Sequence, residues 1–141
     1  MFAAASGPYG RSAASAGAYR QIGVETGVSE ADPHRLVALL FEGCLDAIAQ
    51  ARGALRQKDP QAKGRAIGRA VRIVDEGLKA GLDLNAGGAL ATDLRALYAY
   101  VSLRLTYANL HNDDAALAEC QRLIEPLREG WSRIAPAPAA A

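Results

Sequence analysis

Apolar residues recur at helical spacing along four long stretches of this chain, and turn signals separate the stretches. The first opens at Asp32-Pro33, where a carboxylate can accept a free amide and a proline at the first helical position forfeits no hydrogen bond. It is expected to run to Lys58, with Asp59-Pro60 as the turn that stops it. The second, from about Gln61 to Leu84, carries Ile67, Ala70, Val71, Val74, Gly77 and Leu78 on one side. Lys63, Arg65, Arg69, Arg72 and Lys79 fall on the other, and Asn85-Ala86-Gly87-Gly88 reads as a helix stop followed by a flexible joint. The third runs from Ala89 to about His111, and Asn112-Asp113-Asp114 both ends it and caps its successor. The fourth, from Ala115 to about Ile134, sets Leu117, Cys120, Leu123, Ile124, Leu127 and Trp131 on one side. Pro126 lies inside it, where it removes a backbone hydrogen bond and should bend the helix.

Short connections between long helices force antiparallel neighbours. The pattern therefore predicts an all-α protein, an antiparallel up-and-down four-helix bundle over residues 18–134 with a short extra N-terminal helix around Ala14 to Ile22. Residues 1–17, rich in Ala, Gly and Ser, and residues 135–141, interrupted by proline, show no sustained periodicity and are expected to be flexible tails.

The third stretch has one apolar face too many. At about 100° per residue, Leu90, Leu94, Leu97, Val101, Leu105 and Ala108 form one stripe, as a core-facing helix requires. Tyr100, Leu103, Tyr107 and Leu110 form a second on roughly the opposite side. Two readings fit: the second stripe packs on a neighbouring helix, or it is an exposed groove that receives an apolar helix from a partner, the tyrosines supplying rigid area and a polar tip. Leu39 stands similarly apart from the main face of its helix. Ahead of the bundle, Tyr19-Arg20-Gln21-Ile22-Gly23-Val24 places Tyr19 and Ile22 where they either complete the core or cover such a groove until a partner displaces them.

Composition removes most other chemistries. Sixteen Lys and Arg against 15 Asp and Glu leave a net charge of +1, so no bulk field draws in nucleic acid or anionic lipid. The basic side of the second helix is interleaved with Glu76 and lacks stacking aromatics, which favours a solvated face. Cys44 and Cys120 sit in apolar helical patterns outside any metal or redox motif and read as buried free thiols of a reducing compartment. The start of the chain lacks a secretory signal, and the longest strongly apolar run, Leu36 to Phe41, falls far short of the roughly 20 residues a membrane span needs. The chain is thus expected to be cytoplasmic, without membrane insertion. His34 and His111 are too few and too peripheral for a catalytic centre. Gly64-x-x-x-Gly68 lacks the Lys and Ser/Thr of a phosphate loop and reads as close packing or weak helix, and Asp113-Asp114 reads as a cap rather than a calcium loop. No enzyme activity, cofactor or metal is expected.

Several stretches, in order, resemble the FliS family of flagellar secretion chaperones. They include Ala18-Tyr19-Arg20-Gln21, Asp32-Pro33-His34-Arg35-Leu36 leading to Leu40-Phe41-Glu42-Gly43, Lys63-Gly64, and Ala70-Val71-Arg72-Ile73-Val74-Asp75-Glu76-Gly77-Leu78. Gly87-Gly88-Ala89-Leu90-Ala91, Leu97-Tyr98-x-Tyr100, Arg104-Leu105, Ala108-Asn109 and Trp131 complete the set, which spans roughly Ala18 to Ile134. Phe41 departs from the family by replacing a frequent tyrosine, and the tail before Ala18 looks longer and more Ala-rich than in many relatives. The resemblance implies a helical bundle that binds the disordered C-terminal segment of flagellin, prevents its premature polymerisation in the cytosol, and helps present it to the flagellar type III export gate without ATP. In the family a tyrosine of the N-terminal segment guards or forms the binding surface, and it matches Tyr19. Ile22, beside it in the N-terminal segment, and Leu39, Tyr100, Leu103, Tyr107 and Leu110 from the periodicity are further candidate partner-binding residues. A free chain with such a groove is also a candidate for pairing into a homodimer.

Overall fold

The computed structural model describes residues 32–134. The expected tails, the short helix around Ala14 to Ile22, and the candidates Tyr19 and Ile22 lie outside the described residues. Within them the chain forms helix α1 (Pro33–Arg56), helix α2 (Pro60–Arg72) continuing into a π-helical segment (Ile73–Lys79), helix α3 (Leu84–His111) and helix α4 (Asp114–Arg133), with no strand.

All four α-helices start in the same way. An extended aspartate precedes the first turn and its Oδ1 accepts an amide three residues on: Asp32 from Arg35 at 3.1 Å, Asp59 from Ala62 at 3.1 Å, Asp83 from Ala86 at 2.9 Å, and Asp113 from Ala116 at 3.2 Å. Pro33 and Pro60 follow two of these caps at positions where no amide is needed. Asn112 closes α3 in the left-handed conformation that asparagine tolerates.

The second stretch departs from its expected form. It ends at Lys79 rather than near Leu84, and its last part widens into a π-helix in which the Ala80 amide donates to the Asp75 carbonyl five residues back (3.1 Å). Residues 84–87 are not the helix stop that Asn85-Ala86-Gly87-Gly88 suggests. The Asp83 cap turns them into a helical turn, which breaks at Gly88 (φ 57°, ψ −137°), a conformation open essentially to glycine. The main run of α3 then resumes from Ala89. Pro126 lies within α4 on its exposed side, and the helix continues through it.

α1 packs on α2, the π segment and α4, while α3 packs on α2, the π segment and α4 from the other side. Side-chain bridges show neighbours running in opposite directions. Arg52, late in α1, donates through Nε and Nη2 to both carboxylate oxygens of Asp114 (2.9 and 3.1 Å) at the start of α4, and through Nη1 to Gln121 (2.8 Å). At the other end the His34 and Trp131 rings stack 4.8 Å apart, and the Trp131 indole N–H donates to the His34 carbonyl at 2.9 Å. Asp75 accepts from the Ser102 hydroxyl at 2.6 Å, joining the π segment to mid-α3.

The core is filled by Val37, Leu40, Ile48, Ile67, Val74, Leu78, Tyr98, Val101, Leu105, Leu117 and Ile124, all essentially out of contact with solvent. Cys44 and Cys120 are free and buried within it, and desolvation pushes both thiols up to about 12, so neither forms an appreciable thiolate near neutrality. Three details correct the sequence reading. Leu90 is exposed, and Tyr98 is a fully buried core residue. The buried seam of α3 runs through Ala91, Tyr98, Val101, Leu105 and Ala108, with Leu94 and Leu97 half-buried against it and Leu90 outside it. Lys63 is buried rather than solvated: its stem lies against the end of α3 and its Nζ donates to the Asn109 carbonyl (2.9 Å) and to Asn112 Oδ1. A Cβ added at Gly64 or Gly68 would meet nothing, so these glycines mark weak helix and not close packing; the close approach is at Gly43, where it would come 3.3 Å from Ile73 Cδ1.

Candidate partner-binding surface

Opposite its buried seam, α3 presents Tyr100, Leu103, Tyr107 and Leu110, spaced three and four residues apart. Leu103 is 67% and Leu110 77% exposed, and each tyrosine is 41% exposed. Ala96, also exposed, extends the strip one turn towards the helix start. No helix among the described residues covers it, so the second apolar stripe is not packed against a neighbouring helix there.

The tyrosines are held from α4. The Tyr100 hydroxyl donates to Glu119 Oε2 at 2.6 Å, while Arg104 Nε donates to Glu119 Oε1 at 2.8 Å. The Arg104 guanidinium in turn lies over the Tyr107 ring, 4.7 Å from its centre, and the Tyr107 and His111 rings approach to 4.2 Å. Glu119 therefore uses both oxygens, and bonds first from Tyr100 and then from Arg104 hold its carboxyl below the usual range. The same bond raises the Tyr100 hydroxyl, keeping it a donor at neutral pH, and Glu119 raises Arg104. The result is an apolar strip of four side chains whose two rings are tied, directly or through Arg104, to one carboxylate on the next helix.

Leu39 does not join this strip. It is half-buried on α1, one turn before Gly43. Glu119 and Ala96 were absent from the sequence candidates. Glu119 lies on a different helix, so no periodicity within α3 could reveal it, whereas Ala96 stands four residues before Tyr100 and could have been found by extending the stripe. Among the described residues, no group of three His, Cys, Asp or Glu could hold a metal, and no helix is long and apolar enough to cross a membrane.

The family described as flagellar protein FliS matches residues 15–138 of this chain. Similar proteins include the flagellar secretion chaperone FliS of Salmonella typhimurium (strain LT2), 46% identical over 119 residues that cover 84% of this chain and 88% of the relative. The flagellar secretion chaperone FliSB of Pseudomonas aeruginosa is 43% identical over 116 residues, 82% of this chain and 91% of its own. The flagellar secretion chaperone FliS of Bacillus subtilis is 32% identical over 116 residues, 82% of each.

Proposed function

Because this chain belongs to the FliS family, one of chaperones and not of enzymes, we propose that it is a flagellar export chaperone whose client is flagellin. It takes up the disordered C-terminal segment of flagellin in the cytoplasm, keeps the subunit from polymerising, and hands it to the flagellar type III export gate. The observation that carries this reading is the exposed strip of Tyr100, Leu103, Tyr107 and Leu110 on a helix whose other face is already buried. An apolar strip of this spacing suits an amphipathic helix, and a disordered segment acquires helix when its apolar face finds such a surface. Leu39, with Tyr19 and Ile22 ahead of the bundle, extends the footprint beyond α3. Ordering a client segment typically costs about 2 to 5 kcal/mol of the gross contact energy, which keeps the grip reversible at the gate.

The test is a calorimetric titration of the full chain with the C-terminal segment of its own organism's flagellin, followed by circular dichroism of the mixture. Saturable one-to-one binding with a gain in helix supports the assignment. Absence of both heat and helix gain would assign the surface to another occupant, with a second copy of this chain identified by light scattering of the free protein.

A further inference from the structure

On the reading that the α3 strip binds the client, we propose that Glu119 is a positioning residue for that strip. Its one carboxylate fixes the Tyr100 ring directly and the Tyr107 ring through Arg104, so that both rings are held in place before the client arrives. Geometry carries the argument. Tyr100 and Tyr107 stand seven residues apart on α3, and an exposed tyrosine there would be free to exchange rotamers. Instead, Tyr100 is anchored at 2.6 Å, Arg104 at 2.8 Å, and Arg104 rests on the second ring at 4.7 Å. The first two contacts end on a residue of the neighbouring helix, which does not move with α3 side-chain rotamers, and the third reaches it only through Arg104. The Tyr100 hydroxyl is also satisfied before binding, so a client need not supply an acceptor for it and meets the ring as apolar area.

Immobilising a free side chain at an interface weakens binding, and a ring already fixed avoids that cost, worth about three- to tenfold in Kd for one side chain. Five variants of the full chain, titrated with the flagellin C-terminal segment, test the inference: Tyr100→Phe, Glu119→Ala, Glu119→Gln, the double variant Tyr100→Phe/Glu119→Ala, and Leu103→Ala. Tyr100→Phe keeps the ring and removes only its tether. The proposal expects Tyr100→Phe to weaken binding about three- to tenfold in the original chain and to have no further effect in the Glu119→Ala background. It expects Glu119→Gln, whose amide oxygen still accepts from the hydroxyl, to bind better than Glu119→Ala. Thermal unfolding and circular dichroism of each variant separate loss of binding from loss of fold. Equal effects of Tyr100→Phe in the two backgrounds, or none in either while Leu103→Ala still weakens binding, would overturn the role of Glu119. If Leu103→Ala also left affinity unchanged, the assignment of the strip would fall with it.

Discussion

Replacing Leu103 and Leu110 together by alanine separates what the strip does for a partner from what it does for the fold. Each substitution removes three carbons, about 2.4 kcal/mol for a side chain carried fully from water to an apolar contact, at about 0.8 kcal/mol per carbon. With Leu103 67% and Leu110 77% exposed, most of that area remains for a partner to cover. A client that covers both would therefore lose about 3.5 kcal/mol, a few-hundred-fold in Kd. The free fold uses only the remaining third and quarter, at most about 1.4 kcal/mol, because such areas overstate burial, and the better helix propensity of alanine returns a few tenths. Calorimetric titration with the flagellin C-terminal segment reads the first quantity, and urea unfolding with an unchanged m-value reads the second. A folded double variant whose Kd changes less than about threefold, roughly 0.7 kcal/mol, would refute the assignment of this surface.

Lys63→Met keeps the aliphatic stem and deletes only the ammonium that bonds to Asn109 and Asn112, so it should destabilise the bundle by about 1.5 to 3 kcal/mol in urea unfolding. A change below about 0.5 kcal/mol would mean that water serves the end of α3 equally well. The carboxyl of Glu119 is lowered by Tyr100 and then Arg104, so its contribution is present above its unfolded value and is lost as pH falls through the lowered folded one. The difference in thermal midpoint between the original chain and Glu119→Gln should therefore hold steady near pH 7 and shrink as pH falls below the ordinary glutamate range and through the lowered folded value. A difference independent of pH would show that charge on Glu119 is not what ties the helices.

Much of the bundle is legible in the sequence because its helices are amphipathic and their starts carry aspartates. Asp32-Pro33 and Asp113 mark helix starts without any tertiary information, and the core positions of α4 follow from spacing alone. In the sequence the stop signal of Asn85-Ala86-Gly87-Gly88 outweighs the start signal of Asp83, yet the cap forms a turn before Gly88 breaks it. Lys63 shows the limit of periodicity: it stands among basic residues, and only the arrival of α3's last turn makes it a buried donor. The α3 strip was visible as a second apolar stripe, but whether a neighbour covered it depended on the third dimension, as did the link from Glu119 to Tyr100.

On the proposed function, the strip alone is too small to hold a disordered client tightly, and this would set the shape of the footprint. The two leucines can lose about 1 to 2 kcal/mol each of exposed apolar area to a partner. Each tyrosine, 41% exposed, leaves on the order of 60 to 100 Å² of ring, about 1.5 to 2.5 kcal/mol. The gross gain is then roughly 5 to 9 kcal/mol, set against about 4 to 15 for association and about 2 to 5 for ordering the client. From Ala96 to Leu110 the strip is about 20 Å long, enough for one client helix of about 14 residues. A client peptide of that length should therefore bind no better than millimolar, and submicromolar affinity should appear only when the peptide extends far enough to meet α1 near Leu39 or the residues before Asp32. Titrating a series of client peptides of increasing length measures this directly. A short peptide with the full affinity would show that the strip is a complete site, and that the chaperone grips one client helix rather than being wrapped by an extended segment.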